Sequence, residues 1–299
     1  MHIVRSVDWS FTDPPPGYEG HAEGLARAVL VDRSVGAVHT ELAIDRLAPG
    51  GRVDGHVHSF EKAVYILSGE PVLALEHRRL RLRAGDYALV PIGMRHSWAN
   101  PGPVEARWLA VNTPQRIPLT EGRRDTFFRP GADDASRGPA EPPVFGPLNR
   151  YVGHYEGTPP QAEALALTEP ARGRRPAGMD TALLMYSGIS VKMLVDRTFG
   201  AELLTMFTVD YEPNGAAQVH DHPFEEAYFF LDGEIDGVLE GTEYRIRAGD
   251  VVFAGVGATH GFFNTSPGRV RWIETQAPQP PFRHAYRWVD AWRRLEEEG

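Results

Sequence analysis

The sequence predicts an all-β protein built from two copies of one barrel- or sandwich-like module, and two observations predict it. The first is an internal repeat at a fixed offset of 164 residues. Val31-Asp32-Arg33-Ser34-Val35-Gly36-Ala37 returns as Val195-Asp196-Arg197-Thr198-Phe199-Gly200-Ala201, and Arg83-Ala84-Gly85-Asp86 as Arg247-Ala248-Gly249-Asp250. His56, His58, Gly69, His96, Asn100 and Trp108 return as His220, His222, Gly233, His260, Asn264 and Trp272, without a gap from about 31–115 to 195–279. The second observation is the texture of each copy. Short aromatic and β-branched runs are stopped by Gly, Pro and Asp at regular spacing, which is the signature of many short strands joined by turns.

Taken in chain order, residues 1–115 form the N-terminal module with a leading arm. Its Ala63-Val64-Tyr65-Ile66-Leu67 run ends at the turn Ser68-Gly69. Residues 116–147 are rich in Gly, Pro, Arg and Asp and read as a connector, with Phe127-Phe128 as an apolar pair able to dock on a barrel. Residues 148–282 form the C-terminal module. There Ala227-Tyr228-Phe229-Phe230-Leu231 precedes Asp232-Gly233, and Tyr244-Arg245-Ile246-Arg247 and Val251-Val252-Phe253-Ala254 flank Ala248-Gly249-Asp250. Residues 283–299 read as a short C-terminal helix, with Ala285, Trp288, Val289, Trp292 and Leu295 along one face.

Composition excludes several classes of function. Lys+Arg is 31 and Asp+Glu 40, a net charge of −9, so general binding to nucleic acid or to an anionic membrane would work against the protein's own field. With no Cys there are no disulfides, thiolate metal sites, iron–sulfur clusters or thiol nucleophiles. The N-terminus lacks a basic stretch leading into an apolar run, and no segment approaches the roughly 18 apolar residues of a membrane span. The expectation is a soluble cytoplasmic protein, monomer or homodimer, whose partner is a small-molecule substrate.

The histidines carry the chemistry. His220 and His222 are two residues apart, which places both imidazoles on one face of a strand; Glu226 has the same parity, and His260 follows a turn-rich Gly255-Val256-Gly257. Three imidazoles and one carboxylate suit one divalent transition ion (Fe, Mn, Ni, Cu or Zn) and not an oxygen-only Ca or Mg site. Tyr228, Phe230 and Phe262 share parity with these residues as weaker candidates for lining a substrate pocket. Arg245 and Arg247 read as solvated surface residues.

Gly215, His220, His222, Glu226 and Gly233 resemble the first cupin motif, with four rather than five residues after the first Gly. Gly249, Gly257, His260 and Asn264 resemble the second, with Gly255 where Pro is usual. In the N-terminal copy Gly85, Pro91, Gly93, His96 and Asn100 match the second motif at every position. The chain thus resembles a bicupin, which implies two jelly-roll barrels in tandem and a metal held by His220, His222, Glu226 and His260.

The two copies differ at one decisive place. Subtracting 164 from Glu226 gives Lys62, a cation where the family places its carboxylate ligand. His56, His58, His96 and Lys62 therefore form either a second metal site on three histidines or a degenerate one, in which Lys62 stands in for the lost ion, meets an anionic ligand, or acts as a base with a lowered pKa. Glu61 is adjacent but belongs on the opposite strand face. Bacterial quercetin dioxygenases and oxalate decarboxylases resemble this chain through their three-His, one-Glu set, though both usually carry it in each half. Gentisate dioxygenases resemble it in two-barrel plan, and ureidoglycine aminohydrolases in length. The resulting expectation is a metal-dependent oxidoreductase, dioxygenase-like, acting in the C-terminal barrel on a small oxygen-rich or aromatic metabolite, with Glu226 as proton acceptor. The alternatives are a hydrolase, isomerase or decarboxylase on the same site, or a binding protein without turnover.

Overall fold

The computed structural model describes residues 1–75, 77–117, 124–129, 134–145, 151–155, 157, 163–164, 186–280 and 287–288. Nearly everything described is strand or turn. The N-terminal half supplies β1 (His2–Val4), β2 (Ala22–Val31), β3 (Glu41–His58), β4 (Glu61–Ser68), β5 (Val72–Leu75) and β6 (Arg78–Arg81). It continues with β7 (Asp86–Val90), β8 (His96–Ala99), β9 (Ala106–Thr113), β10 (Thr126–Phe128) and β11 (Val152–His154). Then come β12 (Glu163–Ala164), β13 (Tyr186–Val195), β14 (Thr205–Asp221), β15 (Glu225–Asp232) and β16 (Glu234–Leu239). The last are β17 (Thr242–Arg247), β18 (Val251–Ala254), β19 (His260–Phe263), β20 (Val270–Ala277) and β21 (Arg287–Trp288). Helical structure among the described residues is limited to the single turns Ser6–Asp8 and Arg33–Val35, and no helix is long and apolar enough to cross a membrane.

The chain divides into two compact units. The N-terminal unit comprises Asp8–Glu156 and Leu194–Leu204; the C-terminal unit comprises Met1–Val7, Gly157–Met193 and Thr205–Gly299. Each is a curled antiparallel sheet of the jelly-roll type. The first runs β11-β7-β4-β9-β3-β8-β5-β6, with β2 and β10 also paired to β3; the second runs β1-β18-β15-β20-β14-β19-β16-β17, with β13 and β21 paired to β14. The leading strand β1 thus belongs to the C-terminal unit, where Ile3 faces Val252.

Burial explains why these segments are strands. In β16 exposure alternates residue by residue, as a sheet with one wet face requires. In β15, Glu225 through Phe230 are buried on both faces, so its run is continuously nonpolar apart from the two glutamates. The run ends at Gly233, whose φ of 77° is left-handed. A Cβ there would come within 2.5 Å of the Arg269 carbonyl oxygen, and one at the matching Gly69 within 2.6 Å of Ala106 Cα, so both turns require glycine. Each barrel is filled by aromatic and branched side chains. Trp98 stacks on Trp108 at 4.6 Å in the first, and Trp272 packs against Tyr228, Phe230 and Phe262 in the second. Such rings supply most of the buried apolar area of a small barrel.

Two expectations about connections meet the structure differently. Of Phe127-Phe128, the second docks: β10 pairs with β3, setting Phe128 opposite His56 and against the core, whereas the Phe127 side chain is exposed. The helix expected over 283–299 falls largely outside the described residues. At the two positions described, Arg287 and Trp288, the backbone is strand, paired with Asp221 and His220. A helical apolar spacing is only a weak prior; at these two residues pairing to β14 satisfies backbone hydrogen bonds that the spacing cannot report.

Candidate metal centre

In each unit the same local structure gathers the histidines. His220 lies on β14 opposite His260 on β19, and His56 on β3 opposite His96 on β8. Both long strands carry a register shift just before the first histidine, between Ala217 and His220 and between Val53 and His56. Such a bulge bends the strand and re-aims the side chains that follow. The ligand atoms of His220, His222 and His260 fall within 4.8 Å of one another, as do those of His56, His58 and His96, and all six residues are buried.

The ring orientations are fixed from behind. His220 Nδ1 lies 2.7 Å from the Gln218 carbonyl, His222 Nδ1 2.9 Å from that of Phe224, and His260 Nδ1 2.9 Å from that of Ala258. A carbonyl oxygen has no proton to give, so Nδ1 must be the donor and Nε2 keeps its lone pair. This backing of each ring by a carbonyl is the arrangement that orients imidazoles toward a metal. In the N-terminal unit His56 and His96 donate likewise to the Asp54 and Met94 carbonyls, at 2.7 and 3.1 Å. His58 Nδ1 lies 3.1 Å from Thr126 Oγ1, whose own proton goes to Asp125, so the imidazole is again the donor.

The fourth position separates the two centres. Glu226 Oε2 is 2.7 Å from His222 Nε2 and 3.2 Å from His260 Nε2. Gln276 Nε2 donates to Glu226 Oε1 at 2.8 Å, with the amide held by Thr205, and the Tyr228 hydroxyl donates to Oε2. The carboxylate thus points at the imidazoles with both oxygens positioned. Although burial alone would raise its pKa, His222 and His260 hold Glu226 well below the usual carboxylate range. His222 is raised because Glu226 outweighs its burial, whereas burial and repulsion from His260 push His220 down to about 4. Three imidazoles whose ligand atoms lie within 4.8 Å of one another, with the Glu226 carboxylate against two of them, are a donor set that fits a divalent transition ion.

Around Lys62 the picture is different. The side chain is buried, and burial together with Arg27 lowers its pKa to about 7. Burial and the Lys62 charge also keep His58 well below its ordinary value, and take His96 to about 3. Glu61 faces away, as its parity requires: its carboxylate accepts the backbone N–H groups of Glu202, Leu203 and Leu204 at 2.8, 3.1 and 3.1 Å. It is not available to replace Glu226.

Of the weaker pocket candidates, Tyr228 touches Glu226, while Phe230 and Phe262 sit in the apolar core with Trp272. Arg245 and Arg247 pair with Glu234 and Asp236 on the outer face. Asn100 and Asn264 each clamp a turn, the first through the Leu47 and Val104 carbonyls and the second through those of Glu212 and Gly268.

The sequence reading missed Glu274 and Gln276. They follow Trp272 at period two on β20, and Tyr228 and Glu226 lie directly opposite them, so strand parity from the repeated tryptophan would have found both. Glu274 accepts the Trp272 indole N–H at 3.0 Å, and burial followed by repulsion from Glu226 raises its pKa well above the ordinary range.

Comparison with known proteins agrees with the architecture. The family model for the cupin domain matches residues 43–112 and 207–275, one stretch in each unit. The chain is 31% identical over 117 residues to "Polyketide synthase CurC" of Streptomyces cyaneus, covering 39% of this chain and 76% of that protein. It is 38% identical over 85 residues to "Tetracenomycin polyketide synthase protein TcmJ" of Streptomyces glaucescens, 28% of this chain and 57% of that one. Oxalate decarboxylase from Bacillus subtilis superposes with a TM-score of 0.61 at 15% identity, over 98% of this chain and 79% of that chain. Protein YlbA from E. coli superposes with a TM-score of 0.59 at 12% identity, over 92% and 89%. Identities this low speak for the fold alone. With a cupin domain in each half and both motifs in place, the chain belongs to the cupin superfamily, as a bicupin.

Proposed function

We propose that the chain is a metal-dependent oxidoreductase, dioxygenase-like, whose C-terminal barrel acts on a small, oxygen-rich, enolisable metabolite. The carrying observation is the clustering of His220, His222 and His260 with Glu226 against two of them, where Lys62 stands at the matching place in the other barrel. Those four residues would hold one divalent transition ion. When bound, such an ion polarises the oxygens of a chelating substrate and, if redox-active, accepts an electron from it.

The protein's own residues handle the protons. Glu226 is ionised and can accept a substrate proton at Oε2, while Tyr228 and Gln276 keep the carboxylate in place. Burial and then Glu226 hold Tyr228 well above the ordinary phenol range, so it stays a donor. Burial and repulsion from Glu226 raise the pKa of Glu274 while that of Glu226 is lowered, so two neighbouring carboxyl groups are pushed toward opposite protonation states, one to take and one to give. The relatives named as polyketide synthases support a substrate of polyketide type. A carbon flanked by two carbonyls enolises readily and offers two oxygens to an ion.

The Glu226–Glu274 pair also favours a second reading, non-redox chemistry such as hydrolysis, isomerisation or decarboxylation, because proton transfer is what those reactions need. Turnover of an enolisable β-dicarbonyl under air and under nitrogen, with an oxygen electrode, tests the proposal. Oxygen uptake in step with product, and loss of turnover under nitrogen, is the expected result. Equal rates in both atmospheres would overturn oxygenation in favour of the non-redox reading. A tight substrate complex without product under any metal would make the chain a binding protein.

A further inference from the structure

The interior of the N-terminal barrel carries a charge pattern that the family's metal chemistry does not explain. Lys62 is buried with its Nζ 5.9 Å from the centre of the Phe60 ring, and no carboxylate lies in ion-pair range of it among the described residues. The neighbouring anions already have partners. Asp45 takes Arg27 through two hydrogen bonds of 2.6 and 2.8 Å and the Trp108 indole N–H at 3.1 Å. Glu41 accepts from Asn112 at 2.7 Å, and Asp125 lies 3.7 Å from Arg116 while accepting from Thr126 and the backbone N–H of Ile117. A buried ammonium without a counter-ion is costly unless something supplies one.

The polar atoms around it are unsatisfied in a patterned way. Arg116 Nε and the Tyr18 hydroxyl are buried donors without a hydrogen-bond partner, and Arg27 Nη1 makes no hydrogen bond, with Glu41 Oε1 3.9 Å away. His58 Nε2, His96 Nε2 and Asn112 Oδ1 are buried acceptors without one, the imidazoles being acceptors because their Nδ1 atoms donate. These groups are contiguous. The Arg27 and Arg116 guanidinium carbons lie 5.8 and 5.4 Å from the centre of the Tyr18 ring, which meets the His56 ring edge-on at 5.7 Å. The C-terminal unit has no counterpart to the cationic part of this pattern at the matching positions, since Arg27, Asp45 and Lys62 correspond at the repeat offset to Val191, Val209 and Glu226. The substitutions therefore travel together and replace an anionic fourth position by a cationic one with its own supporting network.

We propose that the N-terminal barrel is a metal-independent receptor for a small hydroxycarboxylate. The carboxylate meets Lys62 and the unsatisfied donors, and the hydroxyl donates to an imidazole Nε2. A neutral molecule would leave Lys62 without a counter-ion, and a carboxylate without a hydroxyl would leave the acceptors unmet. Calorimetric titration of the full chain, stripped of metal with a chelator, tests this with glycolate, acetate and glycolamide as probes. Glycolate is expected to bind saturably, acetate more weakly and glycolamide not at all. Lys62→Met is expected to weaken glycolate by about 30-fold or more, as loss of one partner of a buried charge pair does. Tyr18→Phe, which keeps the ring, is expected to weaken it by about 3- to 10-fold, the loss of a single hydrogen bond. No saturable glycolate binding, equal affinity in Lys62→Met, or binding that appears only after a divalent ion is returned would each overturn the proposal. Because the titration is done without metal, its outcome is independent of whether the C-terminal barrel is an enzyme.

Discussion

His260→Ala is expected to lower turnover by about 1,000-fold or more, since a Lewis-acidic ion is worth several kcal/mol and every 1.4 kcal/mol is tenfold in rate. The imidazole lies on β19 opposite His220, buried and held by the Ala258 carbonyl. The strand pairing around it is made by backbone groups, and the variant should keep its far-ultraviolet circular dichroism. His96→Ala, the matching change in the N-terminal barrel, should leave turnover within a few-fold of the unmodified chain. Steady-state kinetics on the two variants side by side checks this. Equal losses in both would mean that the barrels share the chemistry.

Acid should weaken the metal-free N-terminal unit steeply. Burial keeps the pKa values of His56 and His58 well below the ordinary value, and that of His96 at about 3. The folded state therefore binds fewer protons than the unfolded chain at pH values below about 6.5, the unfolded histidine value. A folded pKa below the unfolded one gives stability that is complete above that value and is lost as pH falls toward the folded pKa values. Each proton taken up only on unfolding contributes about 1.4 kcal/mol per pH unit, so three histidines give a slope on the order of 4 kcal/mol per pH unit near pH 5. Urea unfolding of chelator-treated protein between pH 7 and pH 5 measures it. His58→Asn should flatten the slope by about one proton's worth. A stability that is flat over that range would mean that the cluster is wetter than the structure shows.

Much of the fold was legible because the repeat is written in residues that cannot easily change. Gly69 and Gly233 need left-handed backbone, and the paired histidines sit two residues apart on strands whose faces alternate. The opposite aim of Glu61 followed from the same alternation. What could not be counted from the histidines lies beyond a break in that alternation. The register shift between Val53 and His56 interrupts period two, so Asp45 and Glu41 on the same strand could not be placed inward from His56. Arg27 lies on β2, which pairs with β3 across a ladder with irregularities of its own and is bridged at Arg27 to Thr12. The charged groups around Lys62 are therefore long-range products of the fold. Glu274 and Gln276, by contrast, were within reach of parity on an unbroken strand.

The asymmetry between Glu226 and Lys62 is most directly tested by elemental analysis of protein purified without added ions. The account predicts about one equivalent of a divalent transition metal per chain, as one complete ligand set requires. That content should be lost in His220→Ala, sharply reduced in Glu226→Gln and unchanged in His96→Ala. Metal that persists in His220→Ala, or that disappears with His96→Ala instead, would contradict it.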